Sequence, residues 1–314
     1  MSANVKMANQ DFLAKFDPMT SSPELMQKAA NAVNEYTRIY MREQGFLRVI
    51  LPPVPLSAEE VDRTVTTDQP AKIVDKEPGQ PPAVSVPFGT TPMGEYLHGS
   101  RYMVVMDRIQ TPKFIKDVVE LMTYTMDLRQ VVSDNAIKDL QAEEDGKFIL
   151  CINNQLVGQG STVPATGTVQ WKEITGGITR ETLAEGMELL PSTPMHQETS
   201  VILMNNITSK KMYAWGRDEV GGDMSQEILQ KGLVTRDLMG ATLVVTIKSD
   251  LVPTNTVYYF TGPQALGKFY TIDDATIHVK REAFMLEFFG YECIGAAIGS
   301  VAGVARADYV AAAE

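Results

Sequence analysis

The chain has 314 residues, of which 44% are hydrophobic and 21% are charged, and its formal net charge at neutral pH is -11. This length exceeds the usual size of one domain and can bury a large core, so the composition excludes a wholly disordered protein. The acidic balance argues against a surface that grips nucleic acid, because such a surface needs clustered Lys and Arg to displace counterions from phosphates.

The cysteines, the amino terminus and the longest apolar run exclude three more classes of protein. Cys151 and Cys293 cannot form a disulfide-rich scaffold, and their apolar neighbours predict buried free thiols. Residues 1 to 17 lack the pattern of a signal peptide, so we expect cytoplasmic synthesis. The run from Cys293 to Ala305 is shorter than the about 20 apolar residues of a membrane helix. Close backbone packing or a loop is predicted for its regularly spaced glycines, Gly295, Gly299 and Gly303.

The first third of the chain predicts a helix, two strands and a long excursion. Ser22 as N-cap and Pro23 at the first helical position begin a helix that ends at Gly45. Strands are predicted at Phe46–Val54 and Tyr102–Ile109. The residues between them are rich in Pro, Thr, Asp and Gly, so we expect the two strands to pair as the base of an extended hairpin arm. An isolated arm is marginally stable, which favours a neighbouring subunit as its partner; the alternative is an ordinary flexible loop.

The middle of the chain predicts the longest helix. Thr111 caps it, Pro112 begins it, and it runs to Glu144, where Asp145-Gly146 stops it. About 32 residues would span about 48 Å, a length typical of a strut. The elements predicted after it are a strand at Phe148–Val157, a loop at 158–177 around Trp171, a helix at Thr179–Leu190 capped by Thr179, and a connector at Pro191–Gln197.

The last third predicts mainly strands, because apolar and aromatic residues dominate between turn signals. A mobile loop is expected at 216–232, where the chain is polar and rich in Gly. The other predicted elements are a buried strand at Thr199–Asn205, a short helix at Thr208–Trp215, and strands at Ala241–Ile247, Thr256–Phe260, Ala275–Val279 and Ala283–Ile294.

One motif resembles a phosphate-binding loop. Gly262 to Lys268 satisfies the first seven positions of the P-loop pattern and follows a predicted strand. Phe269, however, stands in the place of the Ser or Thr that binds Mg²⁺, and Pro263 removes a backbone donor. We therefore expect no nucleotide to bind at this motif, and a nucleotide-binding enzyme is retained only as an alternative function.

Other candidate chemistry is sparse. The histidines His98, His196 and His278 lie in different predicted elements without the spacing of metal ligands. Cys151 lies in an apolar run, which favours an inert thiol. The adjacent pairs Asp218-Glu219 and Asp273-Asp274 would point to opposite faces of a strand and are typical of solvated loops or turn caps. We predict no catalytic, cofactor-binding or metal-binding residue.

Two stretches carry a resemblance to a known family. Glu198-Thr-Ser-Val-Ile-Leu-Met-Asn205 predicts a strand that ends at Met-Asn and enters a short helix. Phe288 to Asp308 predicts a long aromatic strand that runs into a tail of small residues. Together they resemble the major capsid proteins of tailed bacteriophages with the Hong Kong 97 fold.

The resemblance implies an α+β fold with four parts. These are an N-terminal arm at 1–45, an extended hairpin called the E-loop with its flanking strands at 46–110, a peripheral domain with a long spine helix at 111–197 plus 280–314, and an axial domain at 198–279. Some members crosslink a Lys of the E-loop to an Asn of a neighbour; Lys72 and Lys76 lie in that region.

The resemblance also implies a function and partners. It implies a structural protein, not an enzyme, that forms hexamers and pentamers in an icosahedral head enclosing double-stranded DNA, without membrane contact or a cofactor. The expected location is the virion, after synthesis in the bacterial cytoplasm. Expected partners are a portal protein and, because the chain lacks the N-terminal scaffold extension of some members, a separate scaffolding protein; decoration proteins are a further class that it allows. The runner-up is an encapsulin-type nanocompartment shell.

Overall fold

The structure is a computed structural model that describes residues 45–64, 67–76, 85–89, 94, 96, 98–117, 119–120, 128–157, 170–193, 195–212, 215 and 237–310. The helix predicted from Ser22 and the loop predicted at 216–232 lie outside these residues. The described helices are α1 (Phe46–Ile50), α2 (Leu128–Val157), α3 (Arg180–Met187), α4 (Asn206–Met212) and α5 (Pro263–Leu266). The described strands are β1 (Pro53–Pro55), β2 (Asp62–Arg63), β3 (Pro70–Lys76), β4 (Ser100–Val105), β5 (Asp107–Gln110), β6 (Phe114–Asp117), β7 (Trp171–Thr175), β8 (Val201–Asn205), β9 (Asp237–Leu238), β10 (Ala241–Thr246), β11 (Thr256–Phe260), β12 (Gly267–Glu282), β13 (Met285–Ile298) and β14 (Val304–Val310).

The first sheet is built on the two long antiparallel strands β12 and β13. Its strand order is β1-β12-β13-β5, and β6 pairs with β13 beyond β5. The pairing of β12 with β13 runs from Gly267 opposite Ile298 to Glu282 opposite Met285, with register shifts between Thr271 and Thr276. A bulge there bends the sheet beside α1 and α2.

The second sheet has six strands in the order β7-β14-β11-β8-β10-β9. Every residue of β11 is buried, and four of the five residues of β8 are buried. Strands covered on both faces are continuously apolar rather than alternating, which is why these two were predictable from the sequence.

The third sheet has the order β2-β3-β4, and it shows that the predicted hairpin pairs different strands from those expected. Phe46–Val54 does not pair with Tyr102–Ile109: its first residues form α1, and β1 instead pairs in parallel with β12. Burial of Phe46, Leu47 and Ile50 favours a helical turn, because all three then contact the core together. The antiparallel arm is made by β3 and β4, while β5 leaves the arm and pairs with β13. The strand character predicted at Tyr102–Ile109 is confirmed, with a break at Met106.

The long helix was placed wrongly at both ends. The residues at 114–117 form strand β6, and Thr111 lies beside β13, where its hydroxyl accepts the Gly290 N–H at 2.8 Å. At the other end α2 continues to Val157, so the predicted stop at Asp145-Gly146 and the predicted strand at Phe148–Val157 are wrong. Asp145 is fully buried and bonded rather than solvated. The buried residues of its second half have helical spacing: Phe148, Ile149, Ile152 and Leu156.

Two hydrophobic cores result from this arrangement. One lies between the first sheet, α1, α2 and the adjoining face of the second sheet, and includes Leu47, Phe148, Tyr258 and Phe269. The other lies under the opposite face of the second sheet, where α3 packs. None of the helices within the described ranges combines the length and apolar character needed to cross a bilayer.

Several local predictions are confirmed and one is corrected. Thr179 caps α3 by accepting the Thr182 N–H at 3.2 Å. The loop predicted around Trp171 instead contains strand β7, which pairs in parallel with β14. The Trp171 indole donates to Asp308 at 2.7 Å, and the Arg306 guanidinium lies 4.3 Å from the Trp171 ring centre. The strand predicted at 275–279 is part of the longer β12, and the strand predicted at 283–294 is part of β13, which starts only at Met285 because 283 and 284 form a turn.

Asn205 explains the Met-Asn end of β8. Its side-chain oxygen accepts the Ile207 N–H at 2.9 Å at the start of α4, and its amide donates to the Val252 carbonyl at 3.0 Å. The side chain is buried. Asn205 thus ends the strand, starts the helix and fixes the loop before β11.

We expect Asn205→Ala to lower the free energy of unfolding by about 2 kcal/mol, because it removes both hydrogen bonds and leaves a buried carbonyl without a partner. Chemical denaturation of the purified chain measures this change. Asn206→Ala is the matched control, since its half-exposed side chain should change stability by less than about 0.5 kcal/mol. Equal effects of the two variants would contradict this role for Asn205.

Candidate assembly surfaces

The arm formed by β2, β3 and β4, here called the hairpin, has one face docked on the first sheet. Val104 and Met106 pack against Tyr270 and Cys293 in a small separate core. The Met106 N–H also donates to the Pro70 carbonyl at 2.9 Å. The base of the hairpin is therefore held by the body of the same chain.

The regularly spaced glycines of β13 and its extension make this docking possible. A Cβ on Gly295 would lie 2.6 Å from the Met106 sulfur, and one on Gly299 would lie 3.0 Å from the Tyr102 ring. A Cβ on Gly303 would lie 2.7 Å from a Thr261 methyl carbon. The close backbone packing predicted for these glycines is confirmed, and two of them receive the hairpin.

The outer face of the hairpin carries apolar side chains. Ile73 and Met103 are directly opposite each other in the antiparallel register and are 43% and 44% exposed. Beside them Arg101 and Asp75 form an exposed ion pair at 2.7 Å. An exposed cross-strand apolar pair bordered by charges is typical of a surface that contacts another protein. Lys72, on the other face, donates to the Glu60 carbonyl at 2.9 Å.

A second apolar surface lies at the turn between β12 and β13. Ala283 has φ of 52°, in the left-handed region, and Phe284 after it is 74% exposed. Met285 and Ile115, on adjacent strands, are also exposed. A third surface lies beside β10, where Val245 and Ile247 are exposed.

The phosphate-loop motif does not form a phosphate site. Gly262 precedes the four-residue helix α5, and β12 starts at Gly267, where a helix would be required. A Cβ on Gly267 would lie 2.2 Å from the Ala297 carbonyl oxygen, so this glycine permits strand contact. Phe269 is buried in the core. The segment connects two strands.

The remaining candidate residues are dispersed. His98 contacts Tyr96, His196 contacts the Pro191 carbonyl, and His278 contacts Phe289. Within the described ranges, no three His, Cys, Asp or Glu residues group as metal ligands would. Cys151 and Cys293 are free thiols, as predicted; Cys151 is half-buried, and burial raises the pKa of both. Asp218-Glu219 lies outside the described residues.

A buried ionic cluster, defined here as Arg48, Glu144, Asp274 and Glu292, was not predicted from the sequence. Arg48 on α1 donates to Glu144 on α2 at 2.8 Å and to Asp274 in β12 at 3.1 Å. Its Nη2 lies 3.5 Å from a carboxyl oxygen of Glu292 on β13. Asp274 is therefore an ion-pair partner and not only a turn cap, as was predicted for Asp273-Asp274. The one feature of the sequence that could have indicated this cluster is Glu292, a charged residue inside an aromatic and apolar strand.

The cluster perturbs the ionisation of two members. Burial alone would lower the pKa of Arg48, but the hydrogen bond and charge of Glu144 raise it above its ordinary value. Burial, followed by the charge of Glu144, raises the pKa of Glu292 to about 9. Next to the cluster, Asp145 accepts the Leu47 N–H at 3.1 Å and pairs with Lys248 at 2.7 Å.

Comparisons with known proteins identify the fold. No protein-family model matches the sequence, and no curated protein matches it. Among solved structures, a chain from the mature capsid of bacteriophage PhiM1 is 8% identical, with a TM-score of 0.57 and coverage of 85% of this chain and 87% of that chain. A chain from Gordonia phage Cozz is 10% identical, with a TM-score of 0.57 and coverage of 86% and 87%. A virus-like particle from Pyrococcus furiosus is 14% identical, with a TM-score of 0.53 and coverage of 88% and 97%. The chain therefore has the Hong Kong 97 fold that was expected from Glu198–Asn205 and Phe288–Asp308.

Proposed function

We propose that this chain is a structural major capsid protein that assembles as hexamers and pentamers into an icosahedral phage head. The observation that supports it is the shared fold with phage capsid structures over more than four-fifths of both chains. The apolar outer face of the hairpin adds to this support, because an exposed apolar pair such as Ile73 and Met103 is typical of a surface that contacts another protein.

We propose that the chain has the four parts expected from the resemblance, with boundaries taken from the three sheets. We assign 1–45 to the arm and 46–110 to the E-loop region, with the hairpin as its extended portion. The peripheral domain, expected at 111–197 plus 280–314, is then built on the first sheet and α2, and the axial domain, expected at 198–279, on the second sheet. We therefore propose that strand β12 belongs to the peripheral domain and that strands β7 and β14 belong to the axial domain, together with α3, which packs under the second sheet.

The proposed role has no catalytic step, cofactor or membrane contact. We infer that the virion is the site of action after synthesis in the host cytoplasm, and that a portal protein, a separate scaffolding protein and, in some states, decoration proteins are the partners. The lumen would enclose double-stranded DNA with weak wall contact, because a net charge of -11 repels phosphates.

Assembly tests this proposal directly. We expect closed particles when the full chain is expressed with its scaffolding protein, and aberrant or no particles when it is expressed alone. Negative-stain microscopy and analytical ultracentrifugation measure the outcome. A monodisperse monomer under every condition would contradict a shell function.

DNA content separates the two kinds of shell. A phage head made with its portal and packaging proteins should contain nuclease-protected double-stranded DNA. Uniform empty shells from this gene alone would instead support the nanocompartment alternative and would contradict the need for a scaffolding protein.

A further inference from the structure

The buried ionic cluster has more acidic than basic groups. One guanidinium, that of Arg48, faces three carboxyl groups: Glu144, Asp274 and Glu292. The side chains of Glu144 and Glu292 are completely buried, whereas that of Asp274 is 23% exposed. Two ionised carboxylates buried beside one cation would leave an uncompensated charge in a medium of low dielectric constant.

The hydrogen bonds show which carboxyl group is left over. Arg48 contacts Glu144 through Nε and Nη2, at 3.2 and 2.8 Å, and contacts Asp274 through Nη1. Neither carboxyl oxygen of Glu292 accepts a hydrogen bond from the residues that the structure describes. A buried carboxylate without donors is costly, whereas a protonated carboxyl group in the same place needs no counter-charge.

Other charged groups near the cluster are already neutralised. Lys248 pairs with Asp145 on α2, so neither supplies a free charge to Glu292. In the register of β13 with β5, Glu292 lies opposite the apolar Ile109. On its other side, the bulged part of β12 contributes Asp274. Arg48 is therefore the one cation that contacts Glu292 among the described residues.

The position of the cluster links it to the architecture. It joins α1, which precedes the hairpin in the chain, to the 30-residue helix α2. It also joins α1 to both of the long strands β12 and β13, at the bulge. We propose that Glu292 is protonated at neutral pH and that its proton is a pH-sensitive latch, whose loss in alkali weakens the junction of α1, α2 and the first sheet.

The direction of the pH effect follows from proton linkage. The folded chain keeps the proton up to about pH 9, whereas the unfolded chain releases it near the ordinary carboxyl value of 4.5. Between these values the folded state binds more protons, so its stability falls as pH rises. Glu292→Gln keeps the shape of the protonated group and removes this dependence.

Urea unfolding of the full chain from pH 5 to pH 9 tests the latch. Relative to Glu292→Gln, we expect the unfolding equilibrium constant of the unmodified chain to increase by up to about tenfold per pH unit. Glu287→Gln, on the same strand, is the matched control, because the Glu287 carboxylate is paired with Lys113 at 3.0 Å and stays ionised over this pH range; its profile should run parallel to that of the unmodified chain. Parallel profiles for Glu292→Gln and the unmodified chain would overturn the proposal.

A second measurement detects the proton in the unmodified chain itself. Infrared difference spectra of the unmodified chain between pH 7 and pH 10 should show the carbonyl band of a protonated carboxylic acid that disappears near pH 9. Loss of this band in Glu292→Gln assigns it to Glu292. A neutral-pH spectrum without such a band would also overturn the proposal. Neither test requires that the chain forms a capsid.

Discussion

A chain in which a Gly-Ser linker replaces residues 57–105 should fold and should form no shells. The body does not depend on the hairpin for its strand pairing, since β1 pairs with β12 and β5 pairs with β13 without it. The two ends lie on opposite sides of β12 and β13, so three strand spacings, about 15 Å, must be bridged. A linker of about ten residues spans this distance.

The folded body would lose only the small core beneath the hairpin. Removing Val104 uncovers Tyr270 and Cys293, and we expect a cost of about 2 to 4 kcal/mol. Circular dichroism and thermal unfolding would verify the fold, and electron microscopy with the scaffolding protein would measure assembly. Particles of normal number and shape from this chain would show that the hairpin makes no essential contact between subunits.

Point variants separate the hairpin surface from the hairpin as a whole. Ile73→Lys with Met103→Asp places an opposite-charge pair on the exposed apolar positions, and we expect particle yield to fall at least tenfold with little change in stability, because opposite charges across strands attract. The matched control, Asp75→Ser with Arg101→Ser, removes an exposed ion pair on the same face. Because such pairs contribute about 0 to 1 kcal/mol, assembly should persist.

The strands were the most predictable part of the fold, and the reason is local. In β8 and β11, apolar residues run continuously between turn residues, and burial on both faces preserves that pattern. The Thr179 cap of α3 was also predictable, since the bonding partner lies three residues away. Signals of this kind depend on neighbours in the sequence.

The errors occurred where distant residues decide the structure. Asp145-Gly146 has the composition of a helix stop, but Leu47 and Lys248 bond Asp145 inside the core, so α2 continues. The Phe46–Ile50 segment is apolar enough for a strand, and its contact with α2 makes it a helix. The ionic cluster was missed for the same reason, because Arg48, Glu144 and Glu292 are far apart in the sequence. The glycines of β13 predicted close packing but not that the hairpin is the partner.

Substitution by alanine should destabilise the fold strongly at one glycine of the phosphate-loop motif, Gly267, and hardly at all at the other, Gly262. A Cβ on Gly267 would lie 2.2 Å from the Ala297 carbonyl oxygen and 3.0 Å from the Ile298 Cα, both of which belong to the backbone of β13. A backbone atom paired in a central sheet cannot move aside as a side chain can. The added Cβ would therefore force β12 and β13 apart at this point. We expect Gly267→Ala to lower the free energy of unfolding by about 3 kcal/mol or more.

Gly262→Ala is the matched control within the same motif. The atom nearest to its added Cβ would be the Ser200 hydroxyl oxygen at 3.8 Å, an ordinary contact. The φ of Gly262 is -59°, which alanine adopts freely, so stability should change by less than about 1 kcal/mol. Denaturant unfolding of both variants gives the comparison. In a phosphate loop both glycines would instead be needed for a nucleotide, and ATP with Mg²⁺ would raise the melting temperature of the unmodified chain. Such a shift, abolished by Gly262→Ala, would contradict the role in strand packing and support the nucleotide-binding alternative.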